Sequence, residues 1–285
     1  MYFLLLIQQL IASGTHIIGK TLTQNVEPSL ILLFRAIIVS FAYFLFFVFF
    51  RKFYRKIEKQ DLKYFFLMGL LNIPLNQFLF LNALERSSAP NVALEYALTP
   101  AFVLIIARIF LNERLSKYKT IGVLTAISGT ILILSEKGFD FSSESFLGDI
   151  IGLLASFSWA IYTIVGRKQS QKYGGIFSTG ISMFTGTLLY IPIFFILGNT
   201  VDISNVTTTN WLQILYLALM TAGLGYAIWY YALSKTEAGK VAVFNNIQPV
   251  FTTLLAIIFL AHQPTIQFGI GGFLIIFGVI LTQRG

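Results

Sequence analysis

Cysteine is absent from this 285-residue sequence. That excludes disulfides, thiolate nucleophiles and cysteine-ligated metal or iron–sulfur centres. Histidine is nearly absent: His16 and His262 are the only two. Neither a metal site nor a cofactor is therefore expected. Charge is scarce too, at 11% of residues against 56% hydrophobic, whereas soluble domains run nearer a quarter charged. A soluble fold of this length cannot hide so much apolar surface, which leaves the lipid bilayer as the solvent. Catalytic signatures are missing: no Gly-x-Ser-x-Gly, no Walker A, no His-Glu-x-x-His, and no paired carboxylates on one helix. Their absence argues against an enzyme, and the lack of a Walker A argues against ATP drive within the chain.

What remains is a series of apolar runs. A spanning helix needs about 20 mainly apolar residues. Candidates fall near 2–22, 30–50, 64–84, 89–111, 117–135, 148–166, 177–197, 211–233, 237–260 and 266–283. The first run lacks a basic leader and reads as a retained membrane helix rather than a signal peptide. The net charge of +8 and pI of about 9.6 would suggest nucleic acid in a soluble protein. Here the basic residues lie between apolar runs, so nucleic acid is not an expected partner. Alternate loops divide them unevenly. One set holds Arg51, Lys52, Arg55, Lys56, Lys59, Lys63, Arg114, Lys117, Lys119, Arg167, Lys168, Lys172, Lys235, Lys240 and Arg284; the other holds Lys20, Arg86 and Lys137. Lys and Arg are retained on the cytoplasmic side, so the split supports ten helices in the inner (plasma) membrane with both termini cytoplasmic.

The chain repeats itself. Shifted by 149 residues, segment 83–132 matches segment 232–281 at 17 of 50 positions without a gap. Pro100 falls on Pro249, Gly122 on Gly271 and Gly129 on Gly278. Five helices is an odd number, so the second copy enters the membrane upside down. Arg114, Lys117 and Lys119 align with the uncharged Gln263, Ile266 and Phe268, as inversion requires. The expected architecture is all-α, two inverted five-helix repeats over 1–137 and 138–285, joined near the polar stretch 136–145. Inverted repeats place a substrate site near the membrane midplane between the halves.

The stretch from Asn82 to Leu134 resembles the signature half of the EamA-type drug/metabolite transporters. The matching features are Ala83-Leu84, Ser88-Ala89, Pro100, Glu113 at the close of the fourth helix, and Gly122 with Gly129 in the fifth. The segment from Tyr231 to Thr282 carries the same frame, departing at His262 where the family pattern has Glu. The resemblance covers essentially the whole chain and implies a transporter of small metabolites, amino acids among them, with export as the direction.

Polar residues within apolar helices nominate the site. Ionisable groups in a membrane are costly and are functional candidates by default. His16, Arg35 and Glu95 lie at similar depth toward one end of their helices. They are expected either to form a gate, with Arg35 pairing Glu95 or sharing a vestibule with His16, or to make a structural ion pair. Proton coupling through Glu95 or His16 is a further expectation. Asn76, Gln77, Asn245, Asn246 and Gln248 must face protein or water. With Tyr96, Trp159, Tyr162, Tyr226 and Trp229 they are expected to line a cavity suited to an amphipathic solute, although packing or an interfacial belt explains aromatics equally. Pro100 and Pro249 should break helices four and nine. The reading is a secondary transporter of a small organic metabolite working by alternating access. Its rivals are a flippase for lipid or lipid-linked substrates and a scaffold or receptor without transport. Oligomeric state is not legible.

Overall fold

The computed structural model describes residues 1–111, 116–134 and 143–284. Glu113, Arg114, Lys137 and the expected joint at 137/138 lie outside the described residues. Those residues form helices and connecting segments, with no strand among them. In chain order the helices are α1 (Tyr2–Thr23), α2 (Pro28–Phe49), α3 (Lys59–Arg86), α4 (Ala89–Ala97 continued by Thr99–Leu111) and α5 (Lys117–Leu134). They continue with α6 (Glu144–Tyr173), α7 (Gly175–Ile196), α8 (Thr208–Lys235), α9 (Ala238–Leu260) and α10 (Ile266–Gln283). Eight of these, α1 to α4 and α6 to α9, are long and apolar enough to cross a membrane. The apolar stretches of α5 and α10 are shorter, Thr120–Ile133 and Ile266–Gly278. The protein is thus an all-helical integral membrane protein, and the expected count of ten spans rests on its two shortest helices.

Local chemistry sets the helix ends. Ser88, Ser143 and Thr265 each accept a hydrogen bond from a backbone N–H three residues on, satisfying a donor the helix cannot. Thr207 and Asn210 make a reciprocal capping box at the start of α8. Gly174, at φ +91°, stops α6 and lets α7 begin at once. The cap at Ser143 and this late stop explain why α6 runs well beyond the apolar core 148–166.

Burial follows bilayer logic. Phe41, Phe49, Leu188, Ile196, Leu212, Ile258, Phe259 and Phe273 are exposed on the outside of the bundle, as lipid permits. Gln9, Asn72, Asn76, Gln77, Asn245 and Gln248 are buried inside it, where protein partners can satisfy them.

Helices α5 and α10 pack antiparallel along a glycine seam. A Cβ on Gly271 would meet the Gly129 carbonyl at 2.8 Å, and one on Gly278 would meet the Ala126 nitrogen at 2.6 Å beside the Gly122 carbonyl. Under the 149-residue shift the pair 129/271 becomes 278/122. The contact therefore maps onto itself when the two sequence copies are exchanged. Small residues permit such close backbone approach.

The halves also share their irregularities. α3 winds as a π-helix over Leu71–Gln77 and α8 does so over Tyr216–Gly225, overlapping positions under the repeat. α4 is interrupted at Leu98, and α9 tightens to a 3-10 turn over Val243–Ile247. Each interruption immediately precedes the shared proline, Pro100 or Pro249. A proline ring clashes with the carbonyl four residues back, so the register changes just upstream of it.

At the end of the bundle that carries the chain termini, α3 and α6 are tied by ion pairs. Lys172 Nζ donates to Asp61 at 2.6 Å and to Glu58 at 2.7 Å, and the Tyr173 hydroxyl donates to Asp61 at 2.6 Å. The bond from Lys172 holds the Glu58 carboxyl below its ordinary range.

Candidate functional site

A cavity of about 50 Å³ lies where both halves meet at their helix irregularities. Gln8, Ile11, Ala12, Thr15 and His16 line it from α1, Arg35 from α2, Asn76 and Phe80 from α3, and Tyr96 from α4. The second half supplies Trp159 from α6, Thr221, Gly225 and Tyr226 from α8, and Asn245 and Gln248 from α9. Such a volume holds roughly three or four water molecules. That is too small to enclose a metabolite, so the site is constricted in this conformation, though it is not sealed.

The wall is a mixture of aromatic faces and polar tips. Trp159 and Tyr226 have ring centroids 4.8 Å apart. His16 stands edge-on to Phe80 at 5.1 Å and to Tyr96 at 5.9 Å. Asn76 Nδ2 donates to the Tyr96 hydroxyl at 2.7 Å and to the Ala155 carbonyl at 2.8 Å, tying α3 to α4 and α6. On the opposite wall the Thr15 and Thr221 hydroxyls share a bond of 2.7 Å. Gln9 and Gln248 donate to Asn245 Oδ1 at 3.3 and 3.4 Å.

Several polar atoms on this wall have no protein partner: His16 Nε2, Arg35 Nε and Nη1, Asn245 Nδ2 and Gln248 Oε1. His16 Nδ1 lies 2.8 Å from the Ala12 carbonyl. A carbonyl can only accept, so Nδ1 carries the hydrogen and Nε2 is the atom left over. Buried polar groups without partners are uncommon. Gathered on one cavity they describe a surface built to receive polar groups.

The structure sorts the expected residues into three places. Asn76, Tyr96, Trp159, Tyr226, Asn245 and Gln248 line the cavity, and so do His16 and Arg35. Gln77, Tyr162 and Trp229 stand behind it. Gln77 donates to Asn72 at 2.7 Å, the Tyr162 and Trp229 rings pack on Trp159 at 5.4 and 5.6 Å, and Trp229 Nε1 donates to Thr163 at 3.3 Å. Asn246 and Glu95 are off the lining altogether. Pro100 and Pro249 serve the backbone rather than the wall.

The expected Arg35–Glu95 pair does not form among the described residues. Successive helical residues point about 100° apart. With Tyr96 on the cavity, Glu95 is turned toward α6, where its carboxyl meets Asp149 and lies on Gly152. Asp149 accepts from Ser87 Oγ and, at 3.3 Å, from Asn91 Nδ2. This carboxyl pair was not foreseen, because its members sit on different helices 54 residues apart (149 minus 95). The contribution of α1 was also missed, although Gln8, Ala12, Thr15 and His16 recur at helical spacing on one face.

Gly152 is where Glu95 finds its space, since a Cβ there would overlap the Glu95 carboxyl. Gly152→Ala should cost about 1–3 kcal/mol through overpacking. Adding Glu95→Ala should recover most of that loss, as a contacting pair does. Melting temperatures of the two single variants and the double variant in detergent check this; strictly additive losses would show that the residues do not touch.

Comparison with known proteins agrees with this architecture. Residues 1–135 and 146–284 match the EamA-like transporter family. An uncharacterized transporter from Archaeoglobus fulgidus is 27% identical over 284 residues, covering 99% of this chain and 96% of that protein. The uncharacterized transporter YyaM from Bacillus subtilis is 28% identical over 224 residues, covering 78% of this chain and 72% of its own. One solved structure, titled only as the crystal structure of a protein, superposes with a TM-score of 0.71 at 18% identity. It covers 100% of this chain and 97% of that one, a likeness of fold.

Proposed function

The chain belongs to the EamA-like transporter family, and from that premise we propose that this membrane transporter is a secondary exporter of a small organic metabolite working by alternating access. The observation that carries the reading is the cavity formed jointly by both halves at their π-helical segments and helix breaks. Local departures from α-helix gather at functional sites. Paired discontinuities in inverted repeats are where transporters bind their cargo. The small volume supports a resting conformation in which the site must widen before it admits or releases a solute. Its aromatic and amide lining suits an amphipathic solute of amino-acid size.

The chain sits in the plasma (inner) membrane with both termini cytoplasmic in this reading, supported by the basic loops. The ion-paired end with Lys172, Asp61 and Glu58 then faces the cytoplasm.

Purified protein in liposomes should exchange a radiolabelled metabolite from a mixed amino-acid and organic-acid pool. Counterflow should saturate and should be lost on substituting Trp159→Ala. Flux equal to that of empty liposomes across the pool would sink the proposal. Scrambling of labelled lipid at a rate matching solute flux would favour flippase activity instead.

A further inference from the structure

Arg35 is the most unusual residue in the cavity. It is 1% exposed, so its head is enclosed by protein rather than turned out to lipid. Among the described residues no carboxylate pairs with it. Its guanidinium has the Tyr226 hydroxyl as a hydrogen-bond neighbour and Tyr96 close by, and neither phenol carries a compensating charge. Nε and Nη1 have no protein acceptor. The cavity lining contains no Asp or Glu. Glu95, which could have supplied the counter-charge, is turned away onto Gly152 and Asp149.

A buried guanidinium without a counter-ion is costly, and a fold keeps one where something else neutralises it. Nε and Nη1 lie on either side of the Cδ methylene and so offer two separate N–H donors in one plane, each able to make a charge-assisted bond to an anionic oxygen. His16 Nε2 and Asn245 Nδ2 stand on the same cavity, and the second of these can donate to the same anion or to a polar group beside it. Arg35 is the sole Lys or Arg on the lining, which suits a group of single negative charge better than a phosphate dianion. The aromatic faces of Trp159, Tyr226 and Phe80 supply an apolar surface beside it.

We propose that the cavity is an organic-anion site in which Arg35 holds a carboxylate of the transported molecule, an assignment that rests on the transport reading above. Selection for charge then precedes selection for shape. Acids should enter where the matching amides and amines do not.

The test uses matched pairs: acetate with acetamide, propionate with propionamide, benzoate with benzamide, and inorganic phosphate as a separate arm. Of the three tryptophans, Trp159 lies on the cavity lining, so a fluorescence change that is lost in Trp159→Phe reports occupancy; melting temperature is the second readout. The acids should produce a saturable fluorescence change and raise the melting temperature. Amides should give at least tenfold weaker responses, Arg35→Gln should abolish the response to acids, and Arg35→Lys should keep part of it. Each variant is first checked for monodisperse elution, and Arg35→Lys keeps the test valid if Arg35→Gln does not fold. Amides equal to acids, acid responses that survive Arg35→Gln, phosphate outcompeting every acid, or no saturable response to any acid would each overturn the assignment. Liposome counterflow of the same compounds separates the two readings. Binding of acids without flux retains the anion site and removes transport, whereas flux of amides or amines without acids retains transport and removes the anion site.

Discussion

Gly278→Leu should leave little folded protein. Its Cβ would meet the Ala126 nitrogen at 2.6 Å and the Ala126 Cα at 3.1 Å, with the Gly122 carbonyl also in the way. These are backbone atoms of a helix and cannot rotate aside as a side chain would. Overpacking a core typically costs about 1–3 kcal/mol even where side chains can yield, and here the helices must separate along the whole seam. Size-exclusion of a fluorescent fusion in mild detergent should show aggregate in place of the wild-type peak. Gly269→Ala is the control on the same helix, since a Cβ there meets nothing within 4 Å. It should be neutral or mildly stabilising, because alanine favours helix more than glycine does. A wild-type peak for Gly278→Leu would show that α5 and α10 are not in backbone contact.

Asn76→Ala should lower flux by about tenfold, the rate equivalent of about 1.4 kcal/mol. Asn76 donates to the Tyr96 hydroxyl and the Ala155 carbonyl at 2.7 and 2.8 Å. Removing it leaves the buried Tyr96 hydroxyl without its donor, at about 1–3 kcal/mol, takes a second bond from an Ala155 carbonyl already engaged within its helix, and frees the Tyr96 ring beside Arg35 and His16. Gln77→Ala makes the contrast. Gln77 donates to Asn72 behind the wall, so its loss should lower the melting temperature more than it lowers flux. Counterflow rates normalised to folded protein decide the matter. Equal flux for wild type and Asn76→Ala would remove Asn76 from the working surface of the cavity.

The repeat made the architecture readable before any coordinates. Shared prolines at a fixed offset named the kinked helices, and apolar length located the spans. The site was only partly readable. Depth along a helix can be counted from sequence, but direction around the axis cannot when most of the helix is apolar and periodicity is weak. Arg35 and Glu95 were matched on depth alone, and they face different neighbours. Asn76 and Gln77 show the same limit: adjacent in sequence, one reaches Tyr96 on the cavity and the other supports Asn72. The π-helical turn that holds both shifts their facing further; Pro74 inside it marks an irregularity in sequence, but not the direction in which the side chains are turned. α1 offered a legible stripe in Gln8, Ala12, Thr15 and His16, but its mixed polarity reads first as weak hydropathy.

The α5–α10 seam has the logic of a two-fold dimer interface folded into a single chain. In an isologous contact each partner presents the same patch, so that residue i meets j and j meets i. Gly122 against the neighbourhood of Gly278, and Gly129 against Gly271, obey that rule within one polypeptide. At the glycines, shape gives the first half no reason to prefer the second half over an upside-down copy of itself, whereas the flanking positions differ, Ala126 standing where the other copy has Ile275 and Thr125 where it has Leu274. In the proposed topology the bias of Lys and Arg among the loops adds a second distinction, by holding each half in one orientation. On that proposed topology, loop charge acts on the choice of partner at this seam from a distance, alongside the contact itself.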